Sequence, residues 1–206
     1  MAKSGGVRKK LAFYLTGPPV ALLAKTSITP TMLTWFGFLL ALVTAALIAL
    51  GNLIAGGIMV LVSGYFDILD GALARRTNQA SNFGAVLDST LDRLSEGVVL
   101  LGIAVLFMTS YRDRLFTLID REWAIALVVA TLIGSVLVSY IRARAEALGI
   151  ECQEGVFTRT ERVVVMALGL LLNQLVIALA LIAVLSIVTV GQRLFHVYRK
   201  SKTSKP

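Results

Sequence analysis

The chain is short of cysteine, histidine and charge: one Cys, one His, and 16% charged residues in 206. A lone Cys152 excludes an intrachain disulfide and reads as a loop bystander. The lone His196 reads as an interfacial residue beside the basic C-terminal end, not a catalytic one. The few charges cluster between apolar stretches, and 57% of the residues are hydrophobic. Soluble domains carry roughly 45–50% apolar residues, so the composition describes an all-α, polytopic membrane protein. The alternating segments of roughly ten residues that build a transmembrane β-barrel are missing. No tandem repeat is visible, and one membrane bundle leaves little room for a soluble domain, so residues 1–206 read as a single domain. No signal-peptide core and cleavage site follow the basic start, which makes the first spanning helix the expected insertion signal. The net charge is +8. With no basic soluble module to carry it, nucleic-acid binding is excluded as a function. The Lys and Arg mark cytoplasmic loops that meet anionic membrane lipid instead.

Residues 1–29 read as a juxtamembrane segment. Leu11, Tyr14 and Leu15 share a helical face beside Arg8, Lys9 and Lys10. That pattern predicts an interfacial amphipathic helix, broken at Gly17, Pro18 and Pro19. Thr29 and Pro30 form an N-cap and first-turn pair. From there, residues 30–198 read as six transmembrane helices, at about 30–50, 53–75, 81–109, 122–148, 159–172 and onward from a turn at Asn173 and Gln174. Residues 110–121 and 149–158 read as polar loops, and 199–206 as a basic, disordered tail. Six spans put both termini on one side. That side holds Lys25, Arg75, Arg76, Arg142, Arg144, Arg162, Arg193 and Arg199, and the other holds Arg112, Arg114 and Arg121 offset by acids. The positive-inside rule therefore makes the termini cytoplasmic, in the plasma membrane of a prokaryote.

Polar chemistry concentrates in DILDGALARRTNQASNFGAVLDSTLD, residues 67–92. Asp67 and Asp70 are three apart, and Asp88 and Asp92 four apart, so each pair shares one helical face. The first pair ends an apolar run and the second begins another. All four carboxylates are therefore expected to converge near one membrane surface. Burying such like charges costs on the order of several kcal/mol per ion unless cations neutralise them. Divalent metal is the obvious neutraliser, and oxygen-only ligands favour Mg²⁺, Mn²⁺ or Ca²⁺ over zinc. Gly71, Ala74, Gly84 and Ala85 leave smooth surfaces beside the acids. Smooth surfaces suit close helix packing, and they also let a ligand reach the backbone. Arg75 is either a snorkelling anchor or a phosphate clamp, and its place beyond Asp70 favours the clamp. Asp67 lies about 12 Å along the helix from Arg75, which sets the site just inside the membrane and open to the cytoplasm. Glu96, one turn past Asp92, reads better as a polar contact inside the bundle than as an extension of the acidic face.

A second constellation is basic. Ser139, Tyr140, Arg142 and Arg144 end the fourth predicted helix; Arg159, Glu161 and Arg162 open the fifth; Arg193 lies near the end of the sixth. Positive-inside anchoring accounts for part of this. Arg142 and Arg144 are two apart, however, so one of them is expected to face protein. Several guanidiniums around one cavity suit an anionic acceptor that carries its own phosphate.

The pattern D-x2-D-G-x2-A-R-x8-G-x3-D-x3-D resembles the CDP-alcohol phosphotransferases. It is filled without departure by Asp67, Asp70, Gly71, Ala74, Arg75, Gly84, Asp88 and Asp92. The resemblance covers nearly the whole chain and implies a lipid-headgroup synthase, typically homodimeric, that displaces CMP from a CDP-linked lipid with an acceptor alcohol. It implies that Asp67, Asp70 and Asp88 bind two Mg²⁺ ions, with Mn²⁺ an alternative, and that Asp92 shares the second. Asp92 is also the implied general base. Gly71, Arg75 and Ser81 would hold the CMP and diphosphate, and Thr31 and Thr34 would contact the nucleotide. The segments SYIRARAE and TERV are similar to the branch containing phosphatidylinositol phosphate synthases and archaetidylinositol phosphate synthases. On that likeness Ser139, Arg142, Arg144, Arg162 and Arg193 grip the phosphate of inositol phosphate, and the donor is CDP-diacylglycerol or CDP-archaeol. Where relatives read ERPER or ERAER, this chain reads TRTER, with Thr158 in place of the first Glu.

Two alternatives bear on the reading. Glycerol 3-phosphate as acceptor would make the chain a phosphatidylglycerophosphate synthase. A cation transporter would need acids near the midplane, whereas here the acids cluster toward one surface.

Overall fold

The structure is a computed structural model that describes residues 16–109, 119–152 and 154–203. Every described element is helical. Helix α1 covers residues 16–23, followed by α2 (Pro30–Ala49), α3 (Leu53–Arg76), α4 (Asn82–Thr109), α5 (Arg121–Ala147), α6 (Arg159–Leu171) and α7 (Leu175–Thr203).

Local chemistry sets the ends of these helices. Thr29 Oγ1 accepts from the Met32 N–H at 3.3 Å, and Pro30 fills the first turn, where a missing N–H costs nothing. Helix α2 closes with Gly51 at φ +81, a left-handed cap that glycine adopts without strain. The Asn52 N–H then reaches back to Leu47 O at 2.9 Å. Ser81 Oγ accepts from the Gly84 N–H at 3.0 Å and so caps α4. Thr158 caps α6 in a reciprocal box with Glu161, and the Thr158 N–H donates to the Glu161 carboxylate at 2.9 Å.

Contacts close the six long helices into a ring in the order α2, α3, α6, α7, α5, α4 and back to α2. A cluster around Ile48, Leu100, Ile103, Phe107, Leu170 and Leu179 fills one end of the ring. A smaller one seats Val20 of α1 on Leu33, Leu69 and Leu73. Small residues let the backbones approach: a Cβ on Gly102 would lie 2.5 Å from Ala45 O, and one on Gly64 3.1 Å from Val163 Cγ1. The outer surface is apolar, with Leu39, Ile58, Leu101, Ile133 and Ile187 all exposed. Apolar residues facing outward around a core lined partly by polar ones fit lipid surroundings.

Four helices are long and apolar enough to cross a membrane: α2, α3, α5 and α7. Six were expected. Helix α4 has 28 residues but carries Asp88, Asp92, Arg93 and Glu96, and α6 has 13 residues, or about 20 Å of helix against about 30 Å of hydrocarbon. One expectation about the chain ends needs correction. Residues 199–203 are helical, as a continuation of α7, so that part of the tail is not disordered. Gly17, Pro18 and Pro19 lie in the first described turn of α1, where a missing N–H costs little, and the segment they were expected to break falls outside the described residues. The amphipathic face at Leu11, Tyr14 and Leu15, and the loop 110–118, fall outside the described residues.

Candidate active site

The first aspartate pair lies in the last part of α3 and the second in the first part of α4. The two turn toward each other because the chain reverses over residues 77–81. Two spaces open beside them. An outer cleft of about 710 Å³ is walled by Thr31 and Thr34 of α2, Asp70, Gly71 and Arg75 of α3, Ser81 before α4, and Gly84 and Asp88 of α4. Every nucleotide-side residue expected from the sequence therefore lines one cleft. Arg75 folds back over Gly71, where a Cβ would lie 3.4 Å from Nη1. That placement favours the clamp over the snorkelling anchor.

On the other side lies a central cavity to which all six ring helices contribute. Asp67, Glu96, Arg159 and Arg162 give it a charged wall. Arg159 bridges two of the aspartates, with Nη2 2.6 Å from Asp67 Oδ2 and Nη1 2.8 Å from Asp92 Oδ1. One turn deeper, Arg162 forks onto Glu96, Nε to Oε1 at 2.8 Å and Nη2 to Oε2 at 3.1 Å. Gly37 lets Asp67 lie against α2: a Cβ there would be 2.8 Å from Asp67 Oδ1. Ser63 Oγ donates to Gly37 O at 3.0 Å and holds the two helices in register.

The carboxylates do not already form a cage. Among the described residues, no three acids are disposed to hold an ion. A cationic side chain, Arg159, bridges Asp67 and Asp92 instead, and the four carboxylates lie together as two facing pairs. The residues still fit a divalent metal. Asp70 is 3% exposed and its Oδ2 has no hydrogen-bond partner. A buried carboxylate oxygen without a donor calls for a cation, and the donor set is all oxygen.

The basic constellation divides. Arg162 lines the central cavity. Arg193 is buried and donates from Nε to Glu154 O at 2.9 Å and from Nη1 to Val138 O, so it pins the loop before α6 to α5 and α7. It stays within electrostatic reach of Arg142 and Arg162. Ser139 is half-buried near the end of α5, and Arg142 and Arg144 are both exposed. The expectation that one of these two faces protein is corrected: the last turn of α5 buries Ala145 instead, and Arg142 Nε binds Glu146 at 2.8 Å. Arg159, which the sequence marked only as one of the residues opening α6, contacts two of the aspartates directly. The reciprocal cap of Thr158 explains how TRTER starts α6 without the glutamate of ERPER. The T-x-x-E pattern could have signalled this.

Residues 27–191 match the CDP-alcohol phosphatidyltransferase family. The chain is 38% identical over 176 residues to an archaetidylinositol phosphate synthase of Methanothermobacter thermautotrophicus, covering 82% of this chain and 83% of that one. Its fold is similar to the phosphatidylinositol phosphate synthase of Mycobacterium tuberculosis with CDP-DAG bound, at a TM-score of 0.77 and 33% identity over 89% of this chain and 93% of that one. The same enzyme in complex with manganese and citrate gives a TM-score of 0.78 at 33% identity, over 89% and 88% of the two chains. With its aspartate pairs facing across one cleft and its match spanning the helical bundle, this chain belongs to the CDP-alcohol phosphatidyltransferase family.

Proposed function

We propose that this chain is a phospholipid headgroup synthase that moves the phosphatidyl or archaetidyl group of a CDP-linked lipid onto inositol phosphate and releases CMP. The observation that carries the reading is the junction of two compartments. Thr31, Thr34, Gly71, Arg75 and Ser81 share the outer cleft with Asp70 and Asp88, while Arg159, Arg162 and Asp67 wall the adjoining cavity. The first suits a nucleoside diphosphate, with small residues beside it and a guanidinium to hold phosphate. The second suits an acceptor that is itself a phosphate ester.

In this reading Asp67, Asp70, Asp88 and Asp92 hold two divalent ions, Mg²⁺ or Mn²⁺. Ions bound there would neutralise the diphosphate and stabilise the entering and leaving oxygens. Asp92, paired with Arg159 of the cavity wall, takes the proton of the acceptor hydroxyl. The acceptor oxygen bonds to the lipid-bearing phosphorus, the bond from that same phosphorus to the bridging anhydride oxygen breaks, and CMP leaves from the outer cleft with that oxygen. Ser139, Arg142, Arg144, Arg162 and Arg193 serve the acceptor phosphate. Arg162 does so by contact, and Arg193 by holding the loop over residues 151–155 and by its charge.

We place all six ring helices across the membrane. Glu96 of α4 and Arg159 and Arg162 of α6 line the central cavity and Asp88 of α4 the outer cleft, which removes those charges from lipid. The basic ends are cytoplasmic, in the plasma membrane of a prokaryote, and the working form is a homodimer. The test is product identity. Purified protein given Mg²⁺, CDP-diacylglycerol or CDP-archaeol, and isotopically labelled inositol phosphate should yield a labelled phosphoinositol lipid by mass spectrometry. A labelled lipid only from glycerol 3-phosphate would favour the phosphatidylglycerophosphate reading.

A further inference from the structure

Glu96 lies outside the aspartate pattern, one turn beyond Asp92 on α4, and its side chain is 21% exposed against the central cavity. It takes two of the three guanidinium nitrogens of Arg162, Nε at 2.8 Å and Nη2 at 3.1 Å. Arg162 itself is 2% exposed, and its third nitrogen, Nη1, is buried with no hydrogen-bond partner. A buried guanidinium N–H is not left empty without reason. Here the residue that carries it lines a cavity able to admit a ligand.

The fork has a geometric consequence. A carboxylate that binds Nε and Nη2 together fixes the guanidinium plane and rotation, which a single hydrogen bond does not. Nη1 is then the only guanidinium nitrogen without a partner, and its direction is set by Glu96, while Nη2 keeps a second N–H beside it. Charge works the same way. Arg193 is within electrostatic reach, and an uncompensated Arg162 would be driven from it or left unpaired in the core.

We infer that Glu96 is a positioning residue for the acceptor phosphate, holding Arg162 so that Nη1 is presented to it. This rests on the reading of the central cavity as the site of a phosphorylated acceptor. It excludes the opposite role, in which Glu96 competes with the phosphate for Arg162.

The two roles differ in sign. In Glu96→Gln, the side-chain amide keeps the shape but turns a donor toward one guanidinium nitrogen and breaks the fork. Positioning then predicts that the KM for inositol phosphate rises about tenfold, the scale of one lost charge-assisted contact. The KM for the CDP-lipid, measured at saturating acceptor, stays within about twofold, because Glu96 does not line the outer cleft. KM does not depend on the folded fraction, so partial loss of protein lowers the maximal rate alone. If the Gln variant yields no folded protein, Glu96→Asp keeps the charge but shortens the reach, and an intermediate rise in acceptor KM is expected. A fall in acceptor KM would show a competitor, and an unchanged acceptor KM with a reduced maximal rate would show a purely structural pair. Either result overturns the inference. The wild-type arm separates this from the functional reading. CMP release with glycerol 3-phosphate in place of inositol phosphate corrects the acceptor, and the same comparison is made with that acceptor. Release only with unphosphorylated alcohols overturns both.

Discussion

Substituting Gly37 by Ala tests the contact that places the first aspartate. Gly37 is buried on α2, and a Cβ built there would lie 2.8 Å from Asp67 Oδ1 and 3.8 Å from Phe66 Cβ. A carbon-to-oxygen contact needs about 3.3 Å, so the carboxylate must retreat by about 0.5 Å. It cannot swing freely, because Oδ2 is held by Arg159 at 2.6 Å. Nor can α2 slide easily, because Ser63 Oγ bonds Gly37 O at 3.0 Å. Metal ligands tolerate displacements of about 0.2 Å, and a shift of about 1 Å in a site costs about a hundredfold. Half that shift corresponds to about tenfold. Alanine in a helix interior gains about 1 kcal/mol over glycine, which offsets part of the packing cost, so thermal stability should change little. CMP release followed against Mg²⁺ concentration should show the half-saturating concentration raised about tenfold. Gly191→Ala, whose Cβ would meet nothing within 4 Å, should leave the curve unchanged. A wild-type metal dependence in Gly37→Ala would refute the placement of Asp67 at the metal.

Asp92→Asn should lower turnover by about 10²–10⁴-fold, the range for a lost general base, while largely sparing metal-dependent CDP-lipid binding measured by calorimetry; equal loss of both would contradict the base role. Arg159→Gln removes the cation shared by Asp67 and Asp92. The rise in melting temperature on adding Mg²⁺ should therefore be larger in the variant than in the wild type, and equal shifts would show that Arg159 and metal do not share ligands. Gly102→Ala sets a Cβ 2.5 Å from Ala45 O and 2.8 Å from Ala45 Cα. Backbone on both sides cannot yield, so a loss of about 1–3 kcal/mol should appear as a lower thermal midpoint in detergent, with an unchanged midpoint counting against the α2–α4 packing.

What was legible in the sequence was local. Apolar runs placed the long helices to within a residue or two, save the C-terminal end of α7, because caps such as Thr29 with Pro30 and the turn at Gly51 act over one turn. The aspartate pattern was legible because its spacing is a property of two adjacent helices. The bridge from Arg159 to Asp67 was not, since it joins residues 92 apart in sequence and exists because α6 packs on α3. Arg193 carries no sequence mark that it binds backbone carbonyls of Glu154 and Val138 rather than pointing freely into the cavity. The length of α6 was readable from the sequence, and its 13 residues are fewer than the other spans have.

The central claim is transfer from a CDP-lipid to a phosphorylated acceptor, and CMP release tests it most directly. Purified wild-type protein with Mg²⁺ and a CDP-lipid is offered inositol phosphate, glycerol 3-phosphate, inositol and serine in parallel. The account predicts CMP release with inositol phosphate and background levels with inositol and serine. No release with any acceptor, from either CDP-diacylglycerol or CDP-archaeol and with Mn²⁺ as well as Mg²⁺, would contradict it.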